Sequence, residues 1–287
     1  MDNFRRYQPS FRTRRGPGPV VWIRRLIVAA GAVLVVVFVW LLAQSEPRSS
    51  TANGNVAPLV DVPASNTNGA AASNTNVAPG TSALSAAQCE RVKSRGGDRA
   101  RVALTFTAGS GAGQTEQIRD FLKERGVPAT FFVSGQWAET HRDLAKSLAD
   151  AGFTVGNATY DRSNPTELTA VQLTEQLTKA EAAIQAATGR SSKPYFRPPQ
   201  GAENDAVVEA AQAAGYCTIL WTVDAFDWQE GQTVDGAVTR VLERGGNGAI
   251  IVLQVASDLV VDTLPKLIDA VKAKGFTFGT LDAVLAS

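Results

Sequence analysis

The chain has 287 residues, with 28 Lys and Arg against 27 Asp and Glu, and a formal net charge of +1. This balance argues against nucleic acid as the main partner, because phosphate backbones are bound by an excess of cationic side chains. Positive charge is nevertheless concentrated at the start, where seven arginines face a single aspartate before residue 26.

An uncharged apolar run follows this basic head. Residues 26–43 are dominated by Val, Leu and Ala, with Trp22 and Trp40 near the two ends. Eighteen residues at ~1.5 Å rise cover ~27 Å, about the hydrocarbon thickness of a bilayer. We interpret 1–25 as a cytoplasmic head and 26–43 as a retained signal anchor, with the main domain outside the cell membrane. The alternatives are a cleaved signal peptide, for which no clear small-residue cleavage site follows, and a buried core helix.

The next segment, 44–88, is rich in Ala, Asn, Ser, Thr, Pro and Gly, and Ser-Asn-Thr-Asn occurs twice, at 65–68 and 73–76. With few large apolar side chains, such a segment cannot offset the entropy lost on ordering. The composition predicts a disordered linker that holds the following domain off the membrane.

Short apolar runs alternate with helical patterns in the domain that we assign to 89–287. Seven strands separated by helices predict an α/β fold with a parallel sheet, closed into a distorted seven-stranded (β/α) barrel. Functional sites of such barrels lie at the C-terminal ends of the strands. The predicted strands are 102–106, 129–133, 153–155, 195–196, 218–223, 249–253 and 276–278, and the predicted helices lie near 114–125, 138–151, 169–187, 203–214, 233–243 and 262–274.

The chain contains two cysteines, Cys89 and Cys217. Outside the cytoplasm a disulfide is chemically allowed, and closing so long a loop stabilises a domain by roughly 5 kcal/mol in the chain-entropy model. Cys217 also opens an apolar strand, where a buried free thiol is common. The sequence leaves both possibilities open.

Several segments after the predicted strands carry a recognisable pattern. Phe-Arg-Pro-Pro-Gln-Gly occupies 196–201, and Trp-Thr-Val-Asp-Ala-Phe-Asp-Trp occupies 221–228. Together with 129–135, 156–160 and 275–281, their order and spacing make the stretch from about 100 to 285 resemble the polysaccharide deacetylases of carbohydrate esterase family 4. The resemblance implies a zinc-dependent hydrolase that removes N-acetyl groups from sugars.

The family's metal-binding and proton-transferring positions are changed in this chain. The first family motif, T-F-D-D-G, reads T-F-T-A-G here, so Thr107 replaces the base aspartate and Ala108 replaces a metal-binding aspartate. The second motif, N-H-T-x-S-H, reads N-A-T-Y-D-R, so Ala158 and Arg162 replace two histidine ligands. Gln254 stands in place of the general-acid histidine.

These replacements remove the chemistry that the resemblance implies. Methyl groups offer no lone pair to zinc, and a guanidinium repels a divalent cation. The single histidine, His141, is expected on a helix away from the site. We therefore expect no zinc or other cofactor and no catalytic residue, and we interpret the domain as a degenerate member. Its expected partner is cell-wall polysaccharide or an envelope protein.

Two supporting residues of the family motifs, Arg197 and Asp227, are retained. Because a buried unpaired charge is costly, we predict that Arg197 pairs with Asp227 or Asp224. Trp228 and Tyr160 offer apolar ring faces on which a sugar can stack. The predicted ligand-binding residues are Arg197, Asp224, Asp227, Trp228 and Tyr160.

Two other interpretations remain. A divergent carbohydrate hydrolase would act on N-acetylated sugars through carboxylates drawn from Asp161, Asp224 and Asp227, without the family mechanism. A structural scaffold for envelope proteins would instead present an exposed apolar patch away from the strand ends.

Overall fold

The computed structural model describes Cys89 and residues 92–109 and 111–286. The predicted cytoplasmic head, signal anchor and linker, at 1–25, 26–43 and 44–88, lie outside these residues. Within the described ranges, no helix is both long enough and apolar enough to cross a bilayer. The described residues therefore bear on the domain predicted for 89–287.

A parallel sheet forms the centre of this domain. Its strands are β1 (Arg101–Ala108), β2 (Ala129–Val133), β3 (Thr154–Asn157), β4 (Tyr195–Phe196), β5 (Cys217–Thr218), β6 (Val223–Asp224), β7 (Ile250–Gln254) and β8 (Thr277–Gly279). Seven of them follow the order β5-β4-β3-β2-β1-β7-β6, and β8 pairs with the first residues of β1. Among the described strands this path does not return on itself, so the predicted barrel is an open half-barrel. All of its pairs are parallel, as predicted.

Eight α-helices accompany the strands in the described part of the chain. They are α1 (Thr115–Glu124), α2 (Gly135–Thr140), α3 (Arg142–Asp150), α4 (Ala170–Thr188), α5 (Asp205–Ala213), α6 (Val234–Arg244), α7 (Val260–Ala273) and α8 (Leu281–Leu285). Local signals fix several ends. Thr169 and Gln172 form a capping box at the start of α4, and Gly189, at φ 71°, ends it in the left-handed conformation. The Asn204 side chain accepts the Val207 N–H at the start of α5.

Two predicted elements are each divided. The helix predicted at 138–151 is α2 followed by α3, with a break at His141, whose φ of −119° and ψ of 49° are not helical. The strand predicted at 218–223 is β5 followed by β6. Its middle leaves the sheet because the Leu220 N–H donates to the Lys93 carbonyl at 2.9 Å, beside a bridge between Lys93 and Ile219.

Apolar side chains cover both faces of the sheet. On one face Phe106 and Phe131 stack with ring centroids 4.9 Å apart, within the larger hydrophobic cluster. On the other face Phe132 belongs to a second cluster that contains Cys89 and Cys217. These cysteines form a disulfide, with Cα atoms 4.8 Å apart and 128 residues between them in sequence. The bond ties the segment before β1 to the start of β5 and stabilises the fold by about 5 kcal/mol in the chain-entropy model.

Candidate functional site

A cleft of about 880 Å³ lies where the strands end. Because parallel strands finish at the same edge of the sheet, the residues that end β1, β6 and β7 meet those in the loops after β3, β4 and β6. The structure thus brings together most of the residues that the sequence singled out, namely Thr107, Ala158, Arg162, Arg197, Asp224, Asp227, Trp228 and Gln254.

Three residues that the sequence analysis placed at the strand-end site, Ala108, Tyr160 and Asp161, do not line this cleft. Ala108 is fully buried in the larger hydrophobic cluster. The ring of Tyr160 lies beneath the ammonium group of Lys179, 3.6 Å from its centroid, and its hydroxyl donates to Glu139. Asp161 is exposed and accepts hydrogen bonds from Ser163 and Gln176 instead. Tyr160, predicted as a ligand-binding residue, thus lies outside the cleft that Trp228 lines.

Arg197 is buried, with only 2% of its surface exposed. Its Nη2 donates to the Thr105 hydroxyl at 3.0 Å and to the Leu220 carbonyl at 3.2 Å, and its Nε donates to the Ile219 carbonyl at 3.3 Å. The guanidinium also lies 4.0 Å above the Phe132 ring. Its Nη1 is buried without a hydrogen-bond partner among the described residues.

The predicted ion pair of Arg197 with Asp227 or Asp224 is wrong. No carboxylate lies within 4.0 Å of this guanidinium in the described part of the chain. The reason is the backbone path after β5, because the carbonyls of Ile219 and Leu220 point toward Arg197 and accept its hydrogen bonds. Burial consequently lowers the pKa of Arg197 to about 9, against the attraction of Asp224.

Two of the carboxylates that line the cleft, Asp224 and Asp227, have neutral donors as hydrogen-bond partners. Asp227 accepts the Gln254 N–H at 3.2 Å and is 3% exposed, and burial raises its pKa to about 7. Asp224 accepts the Phe226 N–H at 2.8 Å and lies 3.4 Å from the indole nitrogen of Trp228. Burial also raises the pKa of Asp224, although these two hydrogen bonds oppose the shift. Both acids are therefore easier to protonate than an exposed aspartate.

Arg162 lies half-buried against the end of β1. A Cβ at Gly109 would overlap this guanidinium, so any larger residue there would displace the arginine side chain from its present position. Among the described residues the guanidinium has no hydrogen-bond or ion-pair partner, and burial lowers the pKa of Arg162. A cation thus occupies the region where the family resemblance implies a metal ligand.

The residues at the implied zinc positions do not fit a metal ion. Ala108 and Ala158 have no donor atom, and the guanidinium of Arg162 carries a positive charge of its own. Across the described ranges, no group of three or more His, Cys, Asp or Glu side chains is placed to hold a metal. His141 lies beside Trp137, with ring centroids 5.2 Å apart, and does not line the cleft. The donor set gives no basis for metal-activated water.

Backbone strain is concentrated around the cleft. Four non-glycine residues in the described part have positive φ, and all lie in the loops after β3, β4 and β6: Thr159 (63°), Arg162 (66°), Gln200 (57°) and Phe226 (56°). The left-handed conformation is unfavourable for residues with a Cβ and persists where surrounding contacts hold it. Arg162 and Gln200 themselves line the cleft.

An aromatic side chain stands at the rim. Trp228 is 56% exposed, although its indole nitrogen lies near Asp224, and it meets the Phe226 ring edge-on at 5.9 Å between centroids. An exposed indole face held from one side is suited to stack on the C–H face of a pyranose.

Several lining residues were not predicted from the sequence, including Pro199, Gln200, Trp221, Glu230 and Asp258. The first three belong to the two segments at 196–201 and 221–228, so the same motifs contained the signal for them. Glu230 and Asp258 lie in loops of ordinary composition, and nothing in the sequence distinguishes them.

Comparisons with known proteins agree with this geometry. The polysaccharide deacetylase family profile matches residues 94–219. An uncharacterised protein of Bacillus subtilis is 32% identical over 202 residues, which cover 70% of this chain and 62% of that protein. The peptidoglycan-N-acetylmuramic acid deacetylase of Bacillus subtilis is 30% identical over 186 residues, covering 63% of this chain and 70% of that protein.

Among solved structures, a carbohydrate esterase family 4 pseudoenzyme from Bacillus anthracis matches with a TM-score of 0.64 and 31% identity, over 68% of this chain and 69% of that one. A mutant of the same pseudoenzyme, described as having restored enzymatic activity, matches with a TM-score of 0.65.

Proposed function

We propose that this chain, which belongs to the polysaccharide deacetylase family, binds cell-wall glycan and does not deacetylate it. The observation that carries the proposal is an open cleft whose metal-binding and proton-transferring positions hold Thr107, Ala158, Arg162 and Gln254. None of these four side chains can supply a metal ligand set or titrate as acid or base near neutral pH. The proposal is further supported by the similarity to a structure described as a pseudoenzyme.

Binding would use the features that the cleft retains. Trp228 offers an exposed ring face for a sugar, and Asp224, Asp227 and Gln254 offer polar atoms for its hydroxyl and amide groups. A scaffold role has less support, because the described part of the chain exposes only two large apolar side chains, Trp228 and Val171, and shows no apolar patch of them.

The test measures binding and hydrolysis on the purified full chain. An N-acetylglucosamine oligomer should bind in calorimetry, and Trp228→Ala should weaken that binding by about tenfold, in line with the value of a stacked aromatic contact. Val171→Ala is the matched control, since Val171 is 68% exposed and does not line the cleft. Acetate release that disappears on chelation and returns with zinc would overturn the proposal.

A second candidate function is a divergent carbohydrate hydrolase. It is favoured by the raised pKa of Asp227, about 7, in a cleft that also contains Asp224. A protonated acid beside a second carboxylate is the arrangement used for general-acid chemistry on glycosides. Cleavage of a glycan by the parent but not by Asp227→Asn, with metal chelated throughout, would select this function over simple binding.

We also propose that the segment 26–43 anchors the domain on the outer side of a cell membrane. The support is the arginine-rich head followed by an uncharged run of eighteen residues. Full-length protein should sediment with membranes, and external protease should remove the domain from intact cells. Recovery of the domain in the soluble fraction without its first forty residues would indicate a cleaved signal peptide instead.

A further inference from the structure

Two arginines in the cleft lack anionic partners. Arg197 uses Nε and Nη2 on neutral oxygens, and its buried Nη1 has no acceptor within the described residues. Arg162 has no side-chain partner at all in the same part of the chain, yet it lines the cleft and is half-buried. Buried donors and charges without partners are rare and costly, so their retention calls for a specific reason.

In the described part of the chain, no carboxylate of the cleft lies within 4.0 Å of either guanidinium. In the sheet order, Arg162 and Arg197 follow β3 and β4, on one side of β1. Asp224 ends β6, and Asp227 and Asp258 follow β6 and β7, on the other side of β1. We call the part of the cleft lined by Arg162 and Arg197 the guanidinium half; Asp224 is close enough to attract Arg197 electrostatically but forms no ion pair with it.

The residue at 107, near the end of β1, explains why the Nη1 of Arg197 has no acceptor among the described residues. The family resemblance implies an aspartate at the position of Thr107, with the retained arginine as its support. In this chain the side-chain partner of the guanidinium is the neutral Thr105 hydroxyl, 3.0 Å from Nη2. A carboxylate supplied by a ligand would restore the missing acceptor.

We propose that the guanidinium half of the cleft, lined by Arg162 and Arg197, binds the carboxylate or phosphate group of an acidic glycan. The proposal rests on the proposed glycan-binding function and names the ligand class of that site. Guanidinium groups bind both anions through paired N–H donors, and charge-assisted hydrogen bonds strengthen where water is excluded.

The test compares two tetrasaccharides by calorimetry on the full chain. One is a neutral oligomer of N-acetylglucosamine, and the other alternates N-acetylglucosamine with N-acetylmuramic acid, whose lactyl group carries a carboxylate. The acidic tetrasaccharide should bind roughly tenfold to a hundredfold more tightly, the range expected for one charge-assisted hydrogen-bond pair. That preference should decline with added salt.

Arg162→Met is the informative variant, because it removes the charge from a half-exposed position that makes no side-chain hydrogen bond within the described residues. It should abolish the preference for the acidic tetrasaccharide and leave neutral binding in place. Arg190→Met is the matched control, since Arg190 is exposed and lies outside the cleft. Equal binding of both tetrasaccharides by the parent would overturn the anion subsite while leaving the proposed function intact.

Inorganic phosphate separates the remaining outcomes. If phosphate competes with the acidic tetrasaccharide in the parent and not in Arg162→Met, the subsite accepts either anion. If neither tetrasaccharide binds, the proposed glycan function fails, and phosphate alone then decides the subsite. Phosphate binding that Arg162→Met abolishes would support the subsite, whereas no phosphate binding by the parent would overturn it.

Discussion

Asp227 should make the folded protein less stable as the pH rises from about 4 to about 7. Burial raises its pKa from the ordinary value of 3.8 to about 7 in the folded state. Between these two values the unfolded chain releases the proton while the folded chain keeps it. The unfolded state thus binds fewer protons, and the free energy of unfolding falls with increasing pH across the window.

The size of this effect follows from the gap in pKa. A gap of about three pKa units, at 1.36 kcal/mol per unit, corresponds to roughly 4 kcal/mol of unfolding free energy. The folded protein has lost this whole amount above pH ~7 and none of it below pH ~4. Asp227→Asn keeps an oxygen that can accept the Gln254 N–H and cannot ionise. The variant should therefore gain roughly 4 kcal/mol relative to the parent between pH ~4 and pH ~8.

Urea unfolding at several pH values, followed by tryptophan fluorescence, measures this difference directly. Asp120→Asn is the control, because the hydrogen bond from Arg119 lowers the pKa of Asp120 and places its titration below the window. The control should differ from the parent by a constant amount at every pH above about 4. A difference between Asp227→Asn and the parent that stays constant from pH 4 to 8 would refute the reasoning.

Two further predictions concern the buried hydrogen bonds of Tyr216 and the introduction of zinc ligands into the cleft. Tyr216→Phe should lower the free energy of unfolding by about 1–3 kcal/mol, because the Tyr216 hydroxyl belongs to a buried cluster of hydrogen bonds. The control Tyr160→Phe loses one exposed hydrogen bond and should lower it much less. Urea titrations measure both variants. The combined change Thr107→Asp, Ala158→His and Arg162→His, at three positions that line the cleft, should create zinc-dependent stability of about 2.7 kcal/mol at a hundredfold excess over Kd. Thermal unfolding with and without zinc checks this, and an equal zinc effect in the parent would contradict it.

The strands were predictable because each buried strand is a short run of apolar residues in the sequence. The predicted bounds 129–133 and 195–196 coincide with β2 and β4, and the lining of the cleft follows from where such strands end. The division between β5 and β6 was not predictable, because it depends on pairing with Lys93, more than a hundred residues away in sequence.

The partners of Arg197 could not be predicted for the same reason. Its side chain donates to the carbonyls of Ile219 and Leu220, which lie between β5 and β6 beside Lys93. Motif order indicates which side chains share a cleft, whereas the partner of each donor depends on the path of a neighbouring loop. Tyr160 illustrates this limit, since Lys179 and Glu139 on adjacent helices hold its ring away from the mouth.

The strained loops bear on whether the cleft is used or is only a remnant. Left-handed backbone at a residue with a Cβ costs roughly 1–2 kcal/mol, and glycine or asparagine would relieve much of it. Gln200 and Phe226 nevertheless adopt this conformation in the loops after β4 and β6, where surrounding contacts hold it. Because strained backbone clusters at binding sites, this conformation fits a cleft whose shape matters to a ligand. The unpaired guanidinium groups support the same conclusion from an independent direction, because a cavity without a ligand is more stable without buried, unpaired charge.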